Sequence, residues 1–105
     1  QAESDIHHYT PAVDNDPALT ERVHRVAAQL FPDADLVNDF QTMGSEDMAL
    51  MMDDIPGCYF MLGSANDKKG LNAKHHHPKF DFDEEVLSRG AALMAAAALS
   101  ILNAE

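Results

Sequence analysis

Between two glycines the chain reads Gly57-Cys58-Tyr59-Phe60-Met61-Leu62-Gly63, a continuous apolar and β-favouring run. An apolar run of this length, without polar alternation, is the pattern of a central strand buried on both faces. Helical patterns lie on either side of it. Upstream, Asp16 can cap a helix, Pro17 suits its first position, and Pro32 closes it after Phe31. Leu19, Val23, Val26, Ala27 and Leu30 fall on one stripe of that helix, expected over residues 17–31, with Glu21, Arg22 and Arg25 on the wet face. Two poorer segments, residues 6–9 and 35–40, are read as an edge strand and a short strand. Met43-Gly44 turns the chain into a second helix capped by Ser45, with Glu46 and Asp47 where the helix dipole favours negative charge. Met48, Ala49, Met51 and Met52 supply its buried side, and Ile55-Pro56-Gly57 ends it. Downstream, a last helix begins after Asp83 and runs to about Leu102. It is alanine-rich and apolar nearly all round, so it is expected to be buried on more than one side. The order helix, strand, helix, strand, helix argues for α/β layering.

Charge narrows the partners. The 105 residues carry 7 Lys+Arg against 18 Asp+Glu, a formal net charge of −11. A polyanion repels such a chain, and no Lys/Arg cluster exists to release counterions, so nucleic acid is excluded as a partner. An anionic membrane surface is disfavoured on the same ground. The longest apolar run, Gly90 to Leu99, is about half of the roughly 20 residues that span a bilayer. A lone cysteine, Cys58, forms no internal disulfide, and with no secretory signal readable the expected compartment is cytoplasmic. A chain beginning with Gln1 is expected to be a processed or partial product.

The polar stretch from Ser64 to Lys79 is longer than the usual connection in a compact domain, which points to function. It holds His75, His76 and His77 in a row. Consecutive side chains point to opposite sides of an extended backbone, so the three cannot together chelate one ion, and zinc needs three or four ligands. From the residues alone three readings stand: a polar surface loop, a single donated metal ligand, or a substrate-binding histidine. His7, His8 and His24 read as surface histidines, and Glu46 with Asp47 as helix-start carboxylates, about 100° apart on a helix. Cys58 has no basic neighbour to activate it and reads as a buried strand thiol. The methionines read as core packing. Phosphate-binding glycine loops and Gly-x-Ser-x-Gly turns are absent from the sequence.

Four motifs and one connecting segment match a known pattern in order and spacing. Met43-Gly44-Ser45-Glu46-Asp47-Met48-Ala49 resembles the Met-Gly-Ser-Glu-Asp-Phe-Ala segment of the peptidase M20 family, in its amidohydrolase branch. That branch holds hippurate hydrolases, N-acyl-amino-acid amidohydrolases and indoleacetyl-amino-acid hydrolases. Pro56 to Gly63 resembles its Pro-Gly-x-Tyr-x-x-Leu-Gly strand, and His76-His77-Pro78-Lys79-Phe80-Asp81-Phe82-Asp83-Glu84 its His-x-Pro-x-Phe-Asp-Phe-x-Glu loop. Gly90-Ala91-Ala92 matches the start of its last helix, and the segment Pro11 to Pro17 its return from an inserted lid.

The resemblance implies a C-terminal fragment of a three-layer α/β/α, zinc-exopeptidase-like catalytic domain. Residues 1–12 would be the end of the lid and 13–105 the C-terminal part of the catalytic domain. It implies that His76 is a metal ligand, with His75 and His77 leaving a one-residue ambiguity. The family's other ligands and its general-base glutamate lie upstream, so no catalytic residue is expected here and the substrate-binding residues stay unknown. The implied cofactor is a divalent metal, zinc with manganese or cobalt as alternatives, two per complete active site. The implied reaction is hydrolysis of the amide of an N-acyl amino acid, hippurate-like, by a metal-activated water, in an enzyme that can be a homodimer. The chain alone is expected to be inactive. The rival readings are a non-catalytic acidic protein-binding module and a stand-alone metal-buffering domain.

Overall fold

The computed structural model describes residues 2–7 and 9–103. They belong to two compact units, Gln1–Tyr59 and Phe60–Glu105.

In the first unit, helix α1 spans Pro17–Leu30, one residue short of the span expected from its stripe. Asp16 caps it, its Oδ1 accepting the Leu19 N–H at 2.8 Å, and Pro17 stands at the first turn, where a missing N–H costs nothing. The Phe31 N–H closes the other end on the Ala27 carbonyl at 2.8 Å. Val23 and Ala27, four residues apart, are the buried line of this helix. The second helix is much shorter than its pattern suggested. Helix α2 is a single turn, Met48–Met51, and Ser45 lies outside it. Glu46 replaces the expected cap, its Oε1 accepting the Met48 N–H at 3.2 Å. Ala49 is buried, Met48 and Met52 half-buried, and Met51 exposed, so the methionines cover less core than expected. Met52 lies over Gly57, where an added Cβ would meet the Met52 Cγ at 2.7 Å. A side chain at Gly57 would have to displace Met52.

The expected strands do not form a sheet. Among the described residues there is no strand, only one isolated antiparallel bridge, Asn66 with Leu71. Residues 35–40 are irregular, with Val37 and Phe40 exposed. Of the 6–9 segment, His8 lies outside the described residues, while Ile6 and Tyr9 are exposed. In the 58–62 run Met61 is 60% and Leu62 42% exposed, which corrects the expectation of burial on both faces. The physical reason is local. A buried strand needs neighbours on its two edges to take its backbone groups, and here a side chain takes them. The Asn15 carboxamide donates to the Tyr59 carbonyl and accepts the Tyr59 N–H, both at 2.8 Å.

In the second unit, a 3-10 turn over Asp67–Lys69 is capped by Asn66, which accepts the Lys69 N–H at 3.2 Å. Gly70, at φ 71°, closes the turn in the left-handed region. Helix α3 spans Glu85–Leu102, close to its expected bounds. Gly90 lets Leu62 approach, since a Cβ there would stand 3.0 Å from the Leu62 Cδ2. Only Leu93 and Ala97 are buried on α3. Leu87, Met94, Leu99 and Leu102 are exposed, so burial on more than one side is not found. One line of the helix is covered, and an all-round apolar helix needs cover on more than one side. By length and composition alone its 18 residues suffice to cross a bilayer, beyond the run counted from the sequence, and an apolar core helix passes the same test.

Candidate metal-ligand loop

The loop between Ser64 and Asp83 is tied at its base. The Asp83 N–H donates to the Ser64 carbonyl at 2.9 Å, which brings the two ends together. The Asp83 carboxylate then gathers the near leg: Asn66 Nδ2 donates to its Oδ2 at 2.6 Å and Lys69 Nζ to its Oδ1 at 2.8 Å. Lys69 also reaches Glu85 Oε1 at 2.7 Å. The Lys69 ammonium and the Asn66 amide hold the Asp83 carboxyl below its usual value, and the two carboxylates raise Lys69, Asp83 more than Glu85. Asn72 Nδ2 bonds Asp67 Oδ1 at 2.9 Å, so the near leg is braced along its length.

At the far end the His77 N–H closes a tight turn on the Lys74 carbonyl at 3.0 Å. His75 and His76 are its central residues. His76 has φ 68°, the one non-glycine residue with positive φ among those described. Positive φ at the third turn position alone is the type II pattern, which prefers glycine. An imidazole carried in the left-handed region costs about 1 kcal/mol or more. Strain of this kind persists where the surroundings impose it and clusters at functional sites.

The three histidines are not equivalent. His77 Nδ1 accepts the Lys79 N–H at 3.1 Å, and Phe80 N–H bonds the His77 carbonyl at 2.9 Å. A neutral ring accepting at Nδ1 carries its proton on Nε2, which leaves no lone pair for a metal. His75 stacks on His76 at 4.1 Å between ring centroids and meets Phe80 edge-on at 5.2 Å. Neither ring nitrogen of His76 has a hydrogen-bond partner among the described residues, and the ring is exposed. The donor set therefore fits one imidazole ligand, not a closed metal site. Among the described residues no group of three or more His, Cys, Asp or Glu could hold a metal ion.

The remaining candidates stay apart. Glu46 Oε2 accepts the Tyr59 hydroxyl at 2.9 Å, and that bond, with burial and the carboxylate's charge, raises the phenol above its usual value. Both Glu46 oxygens are thus engaged, and Asp47 is the residue before α2, where its side chain makes no capping bond. Cys58 is half-buried, with the Thr20 hydroxyl 3.6 Å from its sulfur. His7 Nε2 lies 3.0 Å from Asp5, His24 is half-buried on α1, and His8 is outside the described residues. Sequence reasoning missed Asn15, Lys69 and Asp83 as organisers. The turn-forming Asn66-Asp67-Lys68-Lys69-Gly70 was the one visible signal.

Residues 1–100 match the model of a protein family, peptidase family M20/M25/M40. The chain is similar to thermostable carboxypeptidase 2 of Saccharolobus solfataricus, 33% identical over 93 residues, covering 89% of this chain and 23% of that protein. It is similar to IAA-amino acid hydrolase ILR1-like 6 of Arabidopsis thaliana, 35% identical over 90% of this chain and 20% of that protein. It is also similar to N-acetylcysteine deacetylase of Bacillus subtilis, 32% identical over 97% of this chain and 25% of that protein. The chain thus spans about a quarter of the length of the curated relatives it matches. No solved structure matches it.

Proposed function

This chain belongs to peptidase family M20/M25/M40, and from that membership we propose that it is the C-terminal part of the catalytic domain of a metal-dependent amidohydrolase. The substrate class is the N-acyl amino acid, hippurate-like, with the amide as the bond cleaved. Relatives named as an IAA-amino acid hydrolase and an N-acetylcysteine deacetylase support an amide attached to an amino acid. A relative named as a carboxypeptidase supports the same bond type in a peptide setting. Residues 1–12 are read as the end of an inserted lid and 13–105 as part of a three-layer α/β/α domain. A cytoplasmic homodimer, with no nucleic acid or membrane partner, completes the proposal.

The observation that carries it is His76: an exposed imidazole whose ring nitrogens have no hydrogen-bond partner among the described residues, held at φ 68° on a loop tied at its base. His76 is the residue that would ligate the metal, because His77 spends Nδ1 on the Lys79 N–H. A divalent metal, zinc with manganese or cobalt as alternatives, supplies when bound the positive charge that activates water and polarises an amide carbonyl. The chain's own part is to present one ring at a fixed position and to keep its neighbours out of competition. The rival reading, a self-contained acidic binding module, is disfavoured by α3, whose Met94, Leu99 and Leu102 are exposed apolar side chains on a long helix.

The test is kinetic. The complete protein from the natural open reading frame is loaded with Zn²⁺ and assayed on N-acetyl and N-benzoyl amino acids. Hydrolysis is expected, and His76→Ala is expected to lower kcat/KM by about a hundredfold or more. Full turnover by His76→Ala, or no hydrolysis of any N-acyl amino acid, overturns the proposal.

A further inference from the structure

We infer that Asp83 is the positioning residue for His76, acting through a hydrogen-bonded brace that ties the base of the loop and its first leg; this rests on the reading of His76 as a metal ligand.

The contacts form two groups, one at the base and first leg of the loop and one at its turn. Asp83 joins the two ends through its N–H on Ser64 at 2.9 Å, and its two carboxylate oxygens take Asn66 and Lys69 at 2.6 and 2.8 Å. Asn66 in turn pairs with Leu71 through two backbone bonds of 2.8 and 2.9 Å, so the first leg cannot slide. The second leg holds the turn at Lys74 and His77 and the Phe80 N–H on the His77 carbonyl, and three residues of chain beyond Phe80 it reaches Asp83. Among the described residues these contacts are what holds the loop's base and first leg in shape. A carboxylate that accepts an amide and an ammonium fixes two directions at once, because charge-assisted bonds are short and directional. Its side chain is 16% exposed, so water competes with it less than at an open surface.

Such a brace has a purpose only if something on the loop must stay in place. His76 sits in a backbone region that a free histidine seldom occupies. A loosened loop would let it relax to negative φ and swing its ring away. Preorganisation of a ligand shows in affinity, since ordering it on binding costs free energy.

Two measurements test this. In the 105-residue chain, amide hydrogen exchange at His77 and Phe80 is compared with that at Val23 and Ala27 of α1. Asp83→Ala is expected to speed exchange at His77 and Phe80 roughly tenfold or more while α1 keeps its rates. Lys69→Met, a milder change, is expected to act in the same direction. Unchanged rates at His77 and Phe80 in both variants overturn the brace. In the complete protein, Zn²⁺ affinity is measured by competition with a chelator. Asp83→Ala is expected to weaken it about 10- to 100-fold, as lost support of a ligand does, and Lys68→Ala to leave it unchanged. If His76→Ala weakens Zn²⁺ binding and Asp83→Ala does not, the positioning role is wrong and the metal reading stands. If His76→Ala leaves Zn²⁺ binding intact, the metal reading itself fails, and Asp83 positions no ligand.

Discussion

In the first unit Asn15 grips Tyr59 by its backbone, whereas in the second Asp83 gathers other side chains. The Asn15 carboxamide supplies one donor and one acceptor to one residue, which is what a neighbouring strand would supply. Its bonds are neutral and point along the chain's own polar groups. The Asp83 carboxylate holds an ammonium and an amide, and its partners sit 14 and 17 residues away in sequence. A neutral amide pair is indifferent to salt and to pH, while a carboxylate–ammonium pair answers to both. The difference separates two jobs. One contact satisfies backbone that would otherwise be orphaned, and the other shapes a loop.

The largest effect is therefore expected at Asn15. Asn15→Ala leaves the Tyr59 N–H and carbonyl without partners in a half-buried place. Stranding buried polar groups costs about 1–3 kcal/mol each, and partial access to water brings the pair toward about 2 kcal/mol in total. Urea unfolding of wild type and variant gives the number. A midpoint that does not move would mean that water replaces the carboxamide freely, and the strand-like role of Asn15 would be lost. Asn15→Asp sharpens the comparison, because a carboxylate can accept the Tyr59 N–H but cannot donate to its carbonyl.

A smaller loss is expected from Tyr59→Phe, which removes the phenol that donates to Glu46. One hydrogen bond with solvent close by is worth roughly 0.5 kcal/mol, the low end of the usual range. Because the folded phenol titrates above its ordinary 10.0, its contribution is full below that value and fades as pH rises through the raised one. The variant and wild type should thus converge in strongly alkaline buffer. A constant gap up to that range would show that the ring, not the hydroxyl, carries the difference.

How much of this was legible in the sequence depends on how local each cause is. Helix α1 could be read almost to the residue, because Asp16, Pro17 and the stripe through Val23 and Ala27 all act within one element. The extended run at Cys58 to Leu62 was legible as an apolar segment but not as a pairing. Whether it joins a sheet depends on neighbours, and the described residues of 6–9 and 35–40 form no strand. The α2 pattern overshot because Glu46 turned to Met48 and Tyr59 instead of opening a helix at Ser45. At the candidate site the resemblance supplied His76, while three adjacent histidines gave no local reason to choose one. The left-handed turn was hidden, since no glycine marks it. Asp83 was hidden for another reason: it marks only where the last helix begins, and its partners lie 14 and 17 residues away.

The smallest change in overall stability, and the most selective, is expected at the Asp83 brace when pH or salt is varied. Asp83 titrates below its ordinary 3.8 in the folded chain, so its contribution is complete above that value and is lost as pH falls through the lowered one. Lys69 titrates above its ordinary 10.5, so its share is complete below that value and is lost as pH rises through the raised one. The brace should hold across the whole span between them and open at either extreme. Amide exchange resolves the two regions under these conditions. Below the carboxylate range, His77 and Phe80 should lose protection before the Tyr59 amide, whose acceptor on Asn15 does not ionise. Added salt at neutral pH should act in the same order, screening Lys69 from Asp83 and leaving the carboxamide untouched. Simultaneous loss at Tyr59 and His77 in acid would join the two contacts into one cooperative unit. Protection lost first at Tyr59 would reverse their order and make the neutral grip the weaker one.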